Sequence, residues 1–560
     1  MKFSDSIINN LRKQITDKNR KQIYSCVLLL YCGLHLAMTV FHEPWYDEAE
    51  AWQIARCASF KDIFFSIPHY EGHPPLWHLV LAIPAKLNLP YELSLSLIAL
   101  LFSVLAVALF LKYAPYPELI KVIAPFTYFV FYQYSVVARP YCMMMLAFVL
   151  MAITWGKRDE KPIDFVLSMA FLCLTSSYGI IIAGGISLVW LFEILKKSGI
   201  KFLKDHRTHA LIGLLVLALL LMTEVMPYSD TSATTGRTLG DELGEVPLKL
   251  LYTFVIMLPD TVLTQVLRSD TTGIKLSNLY VGAIPFAVLI GILLWAVIAY
   301  EGRKKHTLAW FILPFSMFAA FGAIVYFGGH HIGIALLLFM FWSWITVEAK
   351  VDESVKANQE IERAVQYLIR FVVGLSLLIS CVWSLSSFIA DIRYDYYPSR
   401  SAAKFIKDNN FEEFNIMTSW REDKKDDEIV LTDTNSIGGA VALFPYFEHN
   451  IIYNAHNGDD ALAYDTHKNA TDTENEENFK VWRSKGYPDV LYNSPDLDTV
   501  FGQDSDDLPE YVLVYEKPYG MIWKGDTELY ASTIYIKKEL QEQLGLPEVE
   551  KNLEYYIHIK

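Results

Sequence analysis

Apolar runs about 20 residues long recur along the first 390 residues of the chain and then stop. Crossing ~30 Å of hydrocarbon takes roughly 20 apolar residues in a helix, since only a helix satisfies its backbone hydrogen bonds without water. The pattern predicts a polytopic α-helical membrane protein with about 11–13 membrane helices. The predicted apolar segments are 23–41, 74–89, 92–111, 118–138, 141–155, 163–177, 179–195, 208–225, 279–300, 307–327, 332–348 and 366–390.

Basic residues between these segments predict an orientation. Loops rich in Lys and Arg stay in the cytoplasm, and the first 21 residues are basic, so the N-terminus is expected there. The connectors Lys157–Lys161, Lys196–Arg207 and Arg303–Lys305 mark the same side. The loop 42–73 and the C-terminal part of the chain are then outside. We expect a multi-pass protein of the cell membrane.

Successive membrane helices must place their connecting loops on alternating sides of the membrane, and segment 74–89 does not fit this alternation. Counting back from the basic connectors places both of its ends outside, which a crossing helix cannot satisfy. The segment is short and contains Pro74, Pro75 and Pro84. Either it is a shallow or re-entrant helix, or one loop is assigned to the wrong side.

Residues 391–560 differ in character from the first 390, which form the predicted membrane domain. A capped helix is expected near Tyr397, followed by short β-rich runs between turns rich in Asp, Asn and Gly. We therefore predict an extracytoplasmic α/β domain. The β-rich runs are Glu428–Thr432, Ile451–Tyr453, Tyr511–Tyr515 and Ser532–Ile536.

Charge is distributed unevenly between these two parts. The last 170 residues contain 34 acidic and 17 basic residues, a net charge of −17, whereas the first 390 carry +3. A nucleic-acid partner requires clustered Lys and Arg, so it is not expected. Membrane lipids are the expected surroundings of the first part.

The loop 42–73 carries the first candidate for chemistry. Asp47, Glu48 and Glu50 lie beside Trp45 and Trp52, where residues 47–58 have helical spacing. A carboxylate at the border of a dry cavity acts as a general base, because burial raises its pKa toward the working pH. Alternatively, these acids only stabilise the first turn of a solvated helix. Both interpretations stay open.

Three histidines, His69, His73 and His78, surround the Pro-Pro pair at the end of this loop. They are candidates for binding a metal, a phosphate or a sugar. Their spacing is not that of a metal site, and the six cysteines include no CxxC pair. Pro74 and Pro75 also suit a plain helix start.

Arg139 and the pair His330-His331 are the other polar candidates. Arg139 lies between two apolar stretches, where an Arg costs at least ~2.5 kcal/mol and needs a partner. Its planar fork fits a phosphate or a carboxylate; at a membrane boundary it would only extend toward water. The histidine pair follows two glycines before an apolar run, which suits an anion site at a helix start or an ordinary turn.

These segments together resemble the bacterial GT-C membrane glycosyltransferases of the protein-mannosyltransferase and aminoarabinose-transferase type. The loop reads Tyr46-Asp-Glu-Ala-Glu-Ala-Trp-Gln-Ile-Ala-Arg56 and continues with Glu71-Gly-His-Pro-Pro-Leu-Trp77. Tyr134-Ser-Val-Val-Ala-Arg-Pro-Tyr141 resembles a later segment of that family. Gly329-His-His-Ile-Gly333 resembles another, with His330 where the family usually has Arg.

The resemblance implies transfer of a sugar from a polyprenyl-phosphate donor to an acceptor glycan, lipid or protein on the outer face, with inversion. Asp47 matches the general base, and Glu48 is its catalytic companion. The candidate donor-binding residues are Arg139, His73, His331, His330 and Tyr141. No cofactor is required by this mechanism, although some relatives bind a divalent metal near the acid.

Two other classes of protein stay open. A transporter or flippase of a lipid-linked glycan would place ionisable groups within helices near the bilayer midplane. A non-catalytic membrane scaffold would tolerate loss of the Asp47 carboxylate. The clustering of polar candidates at one predicted face favours the enzyme.

Overall fold

The computed structural model describes most of the predicted membrane part and several separate pieces of the C-terminal part. The described residues are 17–231, 239–258, 284–325, 329–351, 359–418, 422–425, 428–431, 440–454, 477, 480–481, 484–493, 509–520 and 530–552.

Helices dominate the described chain up to the end of the predicted membrane part. Five helical segments are long and apolar enough to cross a membrane, and six further apolar helices of 10–17 residues accompany them within the described residues. The five are Asn19–Phe41, Tyr91–Tyr113, Ser177–Lys204, His206–Glu224 and Gln359–Arg393. The α-helices are α1 (Asp17–Phe41), α2 (Tyr46–Cys57), α3 (Phe60–Phe65), α4 (Ile67–Glu71), α5 (Leu76–Lys86), α6 (Tyr91–Tyr113), α7 (Glu118–Ile123), α8 (Tyr141–Trp155), α9 (Pro162–Cys173), α10 (Ser177–Ser198), α11 (His206–Glu224), α12 (Leu239–Tyr252), α13 (Ile284–Lys304), α14 (Ala309–Ile324), α15 (Ile332–Glu348), α16 (Gln359–Arg393), α17 (Ser399–Asp408) and α18 (Lys538–Leu544).

Helix α5 lies in segment 74–89, the segment that does not fit the predicted alternation of sides. It has 11 residues and is therefore about 16 Å long at 1.5 Å per residue. That is roughly half the thickness of the hydrocarbon layer. The length favours the shallow helix over a misassigned loop.

The predicted basic connectors lie together at one end of the helical bundle. Asp159, which follows α8, is 2.7 Å from the Nζ of Lys197 and 3.1 Å from a guanidinium nitrogen of Arg207. Nearby on α10, Glu193 accepts a 2.9 Å hydrogen bond from the indole of Trp310 at the start of α14. The loop after α1, the start of α8 and the start of α15 are thus at the opposite end of these helices.

The C-terminal part contains a four-stranded sheet of order β1-β4-β6-β5 and a separate β2-β3 hairpin. Strands β1 and β4 are parallel, and the other neighbours are antiparallel. Three of the four predicted β-rich runs are strands here. The strands are β1 (Ile416–Thr418), β2 (Glu422–Lys425), β3 (Glu428–Leu431), β4 (Val490–Tyr492), β5 (Tyr511–Tyr519) and β6 (Tyr530–Lys537).

The predicted strand Ile451–Tyr453 is wrong. Only one isolated bridge joins this run to the sheet, between Ile452 and Ile416. The side chain of Asn454 bonds both backbone groups of Thr418, at 3.0 and 2.6 Å. Because a side-chain amide takes the place of the next backbone rung, the ladder stops there.

Arg400 in α17 fixes the C-terminal part onto the first loop. Its guanidinium contacts both carboxylate oxygens of Glu92 at 2.8 Å. It also donates to the backbone carbonyls of Val40 and His42, and the backbone N–H of Arg400 donates to Glu43 at 3.0 Å. A two-point guanidinium–carboxylate contact sets both distance and angle, so α17 is held against the ends of α1 and α6.

Arg56 makes a second contact between the two parts. It lies in the last turn of α2 and donates to the carbonyls of Phe444 and Phe447, at 3.1 and 3.0 Å. Helix α2 is therefore fixed at its far end by the C-terminal part.

Replacing Arg400 by Ala is expected to loosen the C-terminal part from the loop. Loss of several charge-assisted hydrogen bonds costs about 2 kcal/mol, which predicts about 30-fold faster proteolytic cleavage between α16 and α17 in the purified protein. The matched control is Lys404→Ala on the same helix, where the lysine pairs with Asp408 at the surface. Equal cleavage rates for the two variants would contradict this role of Arg400.

Candidate active site at the first loop

The first turn of α2 places the acidic cluster. Trp45 precedes the helix in an extended conformation, and the Glu48 side chain accepts a 3.1 Å hydrogen bond from the Trp45 N–H. This is one half of a capping box, a common device at helix starts. The helix predicted over residues 47–58 is confirmed, with bounds Tyr46–Cys57.

Asp47 forms an ion pair with Arg139. Arg139 follows a π-helical segment, Tyr128–Val136, and precedes Pro140 at the start of α8. The exposed fractions of the two side chains are 16% and 14%. Arg139 thus has the partner that its apolar surroundings require, and the pair still reaches solvent. Burial lowers the pKa of Arg139, but Asp47 and the other nearby acidic groups together raise that pKa above its usual range.

Glu48 lies deeper than Asp47 and is 1% exposed. One of its oxygens accepts a 2.7 Å hydrogen bond from the backbone N–H of Ala138, and the other bonds the Trp45 N–H. Sequence reasoning placed Glu48 beside Asp47 as a catalytic acid. In the structure it instead joins the start of α2 to the residue before Arg139.

His42 extends this contact into a buried chain of charges. Its Nε2 is 3.4 Å from Glu48, and its Nδ1 is 2.9 Å from Asp391 in the last turns of α16. The Tyr132 hydroxyl donates to both Asp391 oxygens, at 2.7 and 2.8 Å. Burial lowers the pKa of His42, but the two carboxylates outweigh it and raise this pKa to about 10. His42 is therefore an imidazolium that donates from both nitrogens.

Sequence reasoning missed both His42 and Asp391. The available signal was weak: Asp391 ends the last apolar segment, where an ionisable residue usually has a partner. Nothing in the local pattern connects it to a histidine 349 residues earlier.

Histidine and tyrosine rings form a second group near the ion pair. The Tyr141 ring stacks on Tyr134 with centroids 4.8 Å apart and lies 5.7 Å from His330 and 6.1 Å from His331. His331 is also 3.4 Å from the hydroxyl of Tyr178 at the start of α10. The starts of α8, α10 and α15 therefore meet here.

The two adjacent histidines are neutral at neutral pH. Burial and the nearby charge of Arg139 lower the pKa of His330 to about 3, and burial with His330 lowers the pKa of His331 well below its usual value. His73 contributes in the same direction to both. These histidines offer hydrogen-bonding groups, while Arg139 supplies the positive charge.

The ring of Tyr134 packs against α15 at Gly333. A side chain at this position would collide with the rings of Phe129 and Tyr134. Tyr134 also donates a 2.6 Å hydrogen bond to the carbonyl of His330. The π-helical segment and the start of α15 are thus in direct contact. Turns of π-helix are frequent at functional sites.

The three loop histidines do not come together as a metal site. His69 stacks on Tyr228 at 3.9 Å and contacts the carbonyl of Met226. Before His73, Gly72 ends α4 with a positive φ, and its carbonyl accepts a hydrogen bond from Ser177. Among the residues that the structure describes, no group of three His, Cys, Asp or Glu side chains is placed to hold a metal ion. The metal-binding alternative therefore has no fitting ligand set in these ranges.

Comparison of the chain with family models, with curated proteins and with solved structures gave no match. The interpretation of the site accordingly depends on its own geometry. Asp47 and Arg139 are in direct contact, Tyr141 lies beside both adjacent histidines, and the charge of Arg139 helps to lower the pKa of both histidines.

Replacing Gly333 by Ala is expected to displace Tyr134 and, through it, the stacked Tyr141. Overpacking of this kind costs about 1–3 kcal/mol, so the apparent unfolding temperature of the purified protein should fall. Gly374→Ala is the control, because that glycine lies in α16 with nothing near its missing side chain. A Gly333 variant as stable as the Gly374 variant would contradict the contact.

Proposed function

We propose that the chain is an integral-membrane glycosyltransferase that moves a sugar from a polyprenyl-phosphate donor to an acceptor at the outer face, with inversion. The observation that carries this proposal is the partly exposed Asp47–Arg139 pair beside the histidine and tyrosine rings. A carboxylate and a guanidinium in contact at the end of a helical bundle provide a proton acceptor and a phosphate ligand in one place.

In the proposed reaction, the acceptor hydroxyl oxygen attacks the anomeric carbon of the donor sugar. Its proton passes to the Asp47 carboxylate. The bond between the anomeric carbon and the phosphate oxygen breaks, and the lipid phosphate departs with the electron pair. A single displacement inverts the anomeric configuration. Arg139 stabilises the charge that develops on the leaving phosphate, where fixed donors contribute most.

In the proposed reaction, binding of the donor also breaks the contact between Asp47 and Arg139. In the ion pair, an oxygen of the Asp47 carboxylate is engaged by the Arg139 guanidinium and is not turned toward an acceptor hydroxyl. A phosphate at Arg139 competes for the same guanidinium nitrogens. When the donor phosphate displaces it, this Asp47 oxygen becomes available to accept the proton of the acceptor hydroxyl.

The resemblance to GT-C glycosyltransferases agrees with this arrangement and completes the proposed fold. In this proposal α13 and the shorter apolar helices other than α5 add to the five long ones to give about 11–13 membrane helices. The basic connectors are cytoplasmic, and the site and the C-terminal part are outside. The neutral His330, at the position where that family usually has Arg, leaves Arg139 as the principal phosphate ligand.

A flippase of a lipid-linked glycan is the second candidate, favoured by a polar network among the helices. His35 in α1 contacts Ser135 at 2.8 Å and Ser96 at 3.0–3.1 Å, and Ser135 donates to Ser103. Transporters place polar groups within their helices. Movement of the lipid-linked sugar across vesicles without transfer to an acceptor would favour this candidate over the enzyme.

Asp47→Asn is expected to abolish sugar transfer while the protein still folds, because the amide cannot accept the proton. Mass analysis of surface glycans in a strain lacking the gene, complemented with each variant, measures this whichever sugar is transferred. Asp62→Asn is the control from the same loop, since the Asp62 side chain, within the described part of the chain, accepts a hydrogen bond only from Ser59 at the start of α3. Wild-type glycans from the Asp47 variant would refute the catalytic role.

Arg139→Ala should weaken binding of polyprenyl phosphate at least tenfold, since a charge-assisted hydrogen bond is worth about 1.5–3 kcal/mol. Titration of the purified protein with this lipid checks the affinity. Arg158→Ala is the matched control, because Arg158 follows the other end of α8 and pairs with Glu193 at 2.9 Å. Unchanged affinity in the Arg139 variant, or an equal loss in the Arg158 variant, would exclude Arg139 as the phosphate ligand.

A further inference from the structure

We propose that Glu48 is a positioning residue that, supported by His42 and Asp391, fixes Asp47 and Arg139 relative to each other. As a statement about catalysis, this inference rests on the proposed function. As a statement about the geometry of the ion pair, it is open to a test that needs no transfer reaction.

The two oxygens of Glu48 hold the two segments that carry the ion pair. One oxygen bonds the N–H of Ala138, the residue directly before Arg139, at 2.7 Å. The other bonds the N–H of Trp45, two residues before Asp47, at 3.1 Å. A single carboxylate therefore sets the distance between the backbone at Arg139 and the backbone at Asp47, which are about 90 residues apart in the chain.

His42 and Asp391 hold this carboxylate in place. His42 lies between the two acids, 3.4 Å from Glu48 and 2.9 Å from Asp391. All three side chains are at most 6% exposed. Buried charges are stable only in a complete network, and removal of one member leaves the others unpaired. Loss of Asp391 should thus reach Glu48 through His42, although Asp391 bonds neither backbone segment.

The network also connects the site to the C-terminal part of the chain. Asp391 lies in the last turns of α16, which leads directly into the segment that carries Arg400. Arg400 in turn bonds the carbonyl of His42. The docking of the C-terminal part and the placement of the ion pair therefore involve the same residues at the end of α1.

The test compares the Asp47–Arg139 coupling with and without Glu48. The shifts in apparent unfolding temperature of Asp47→Asn, Arg139→Gln and the double variant are measured in the wild-type background and in Glu48→Gln, in the same detergent. Residues in direct contact show non-additive effects, and separated residues show additive ones. We expect non-additive shifts in the wild-type background and additive shifts in the Glu48→Gln background.

Glu193→Gln is the control background, because Glu193 is a paired carboxylate at the opposite end of the bundle. It should lower the unfolding temperature and leave the coupling intact. Coupling that persists in Glu48→Gln, or that is lost equally in Glu193→Gln, would overturn the proposal. If Glu48→Gln does not fold, Asp391→Asn replaces it, and coupling that persists in Asp391→Asn would equally overturn the proposal.

Transfer kinetics separate the positioning role from the proposed function. Glu48→Gln should reduce kcat about 100-fold with the KM for the lipid donor changed less than threefold, because misplacement by about 1 Å costs a factor of this size. A normal kcat in Glu48→Gln would overturn the positioning role. If the wild type transfers no sugar, the proposed function fails, and the coupling measurement still decides whether Glu48 positions the pair.

Discussion

A buried carboxylate that must be fully hydrogen-bonded organises this end of the molecule. Glu48 is removed from water, and ionised groups in such surroundings need partners for each lone-pair direction. The partners it finds are two backbone amides from separate segments and one imidazole. The hydrogen bonds of Glu48 thereby join the first loop to the end of the π-helical segment. Through His42 they also join it to the end of the long helix α16.

The partly exposed ion pair of Asp47 and Arg139 lies beside this buried arrangement. Asp47 is next to Glu48 in the sequence, and Arg139 is next to Ala138. The two hydrogen bonds of Glu48 to backbone amides therefore set the geometry of the ion pair. Around the pair lie neutral histidines and stacked tyrosines that offer hydrogen bonds without competing charge. This is the balance of one proton acceptor and one fixed cation that the proposed displacement at a lipid phosphate requires.

The local sequence pattern predicted most of the helices and three of the six described strands, since helical and strand periods depend on neighbouring residues. It also indicated that Arg139 needed a partner, because an Arg between apolar stretches is costly when unpaired. What it did not provide were the long-range pairs, such as His42 with Asp391, which no spacing rule connects. The failed strand at Ile451 has the same origin: whether a β-rich run joins a sheet depends on what its neighbours offer, and here the Asn454 side chain occupies the place of a backbone rung.

The most direct measurement is an experimental structure of the purified protein with polyprenyl phosphate bound in a lipid nanodisc. The account predicts phosphate density within hydrogen-bonding distance of the Arg139 guanidinium, with the Asp47 carboxylate separated from Arg139 and Glu48 still bonded to both backbone amides. A bound lipid phosphate elsewhere on the protein, with the Asp47–Arg139 pair intact, would contradict it.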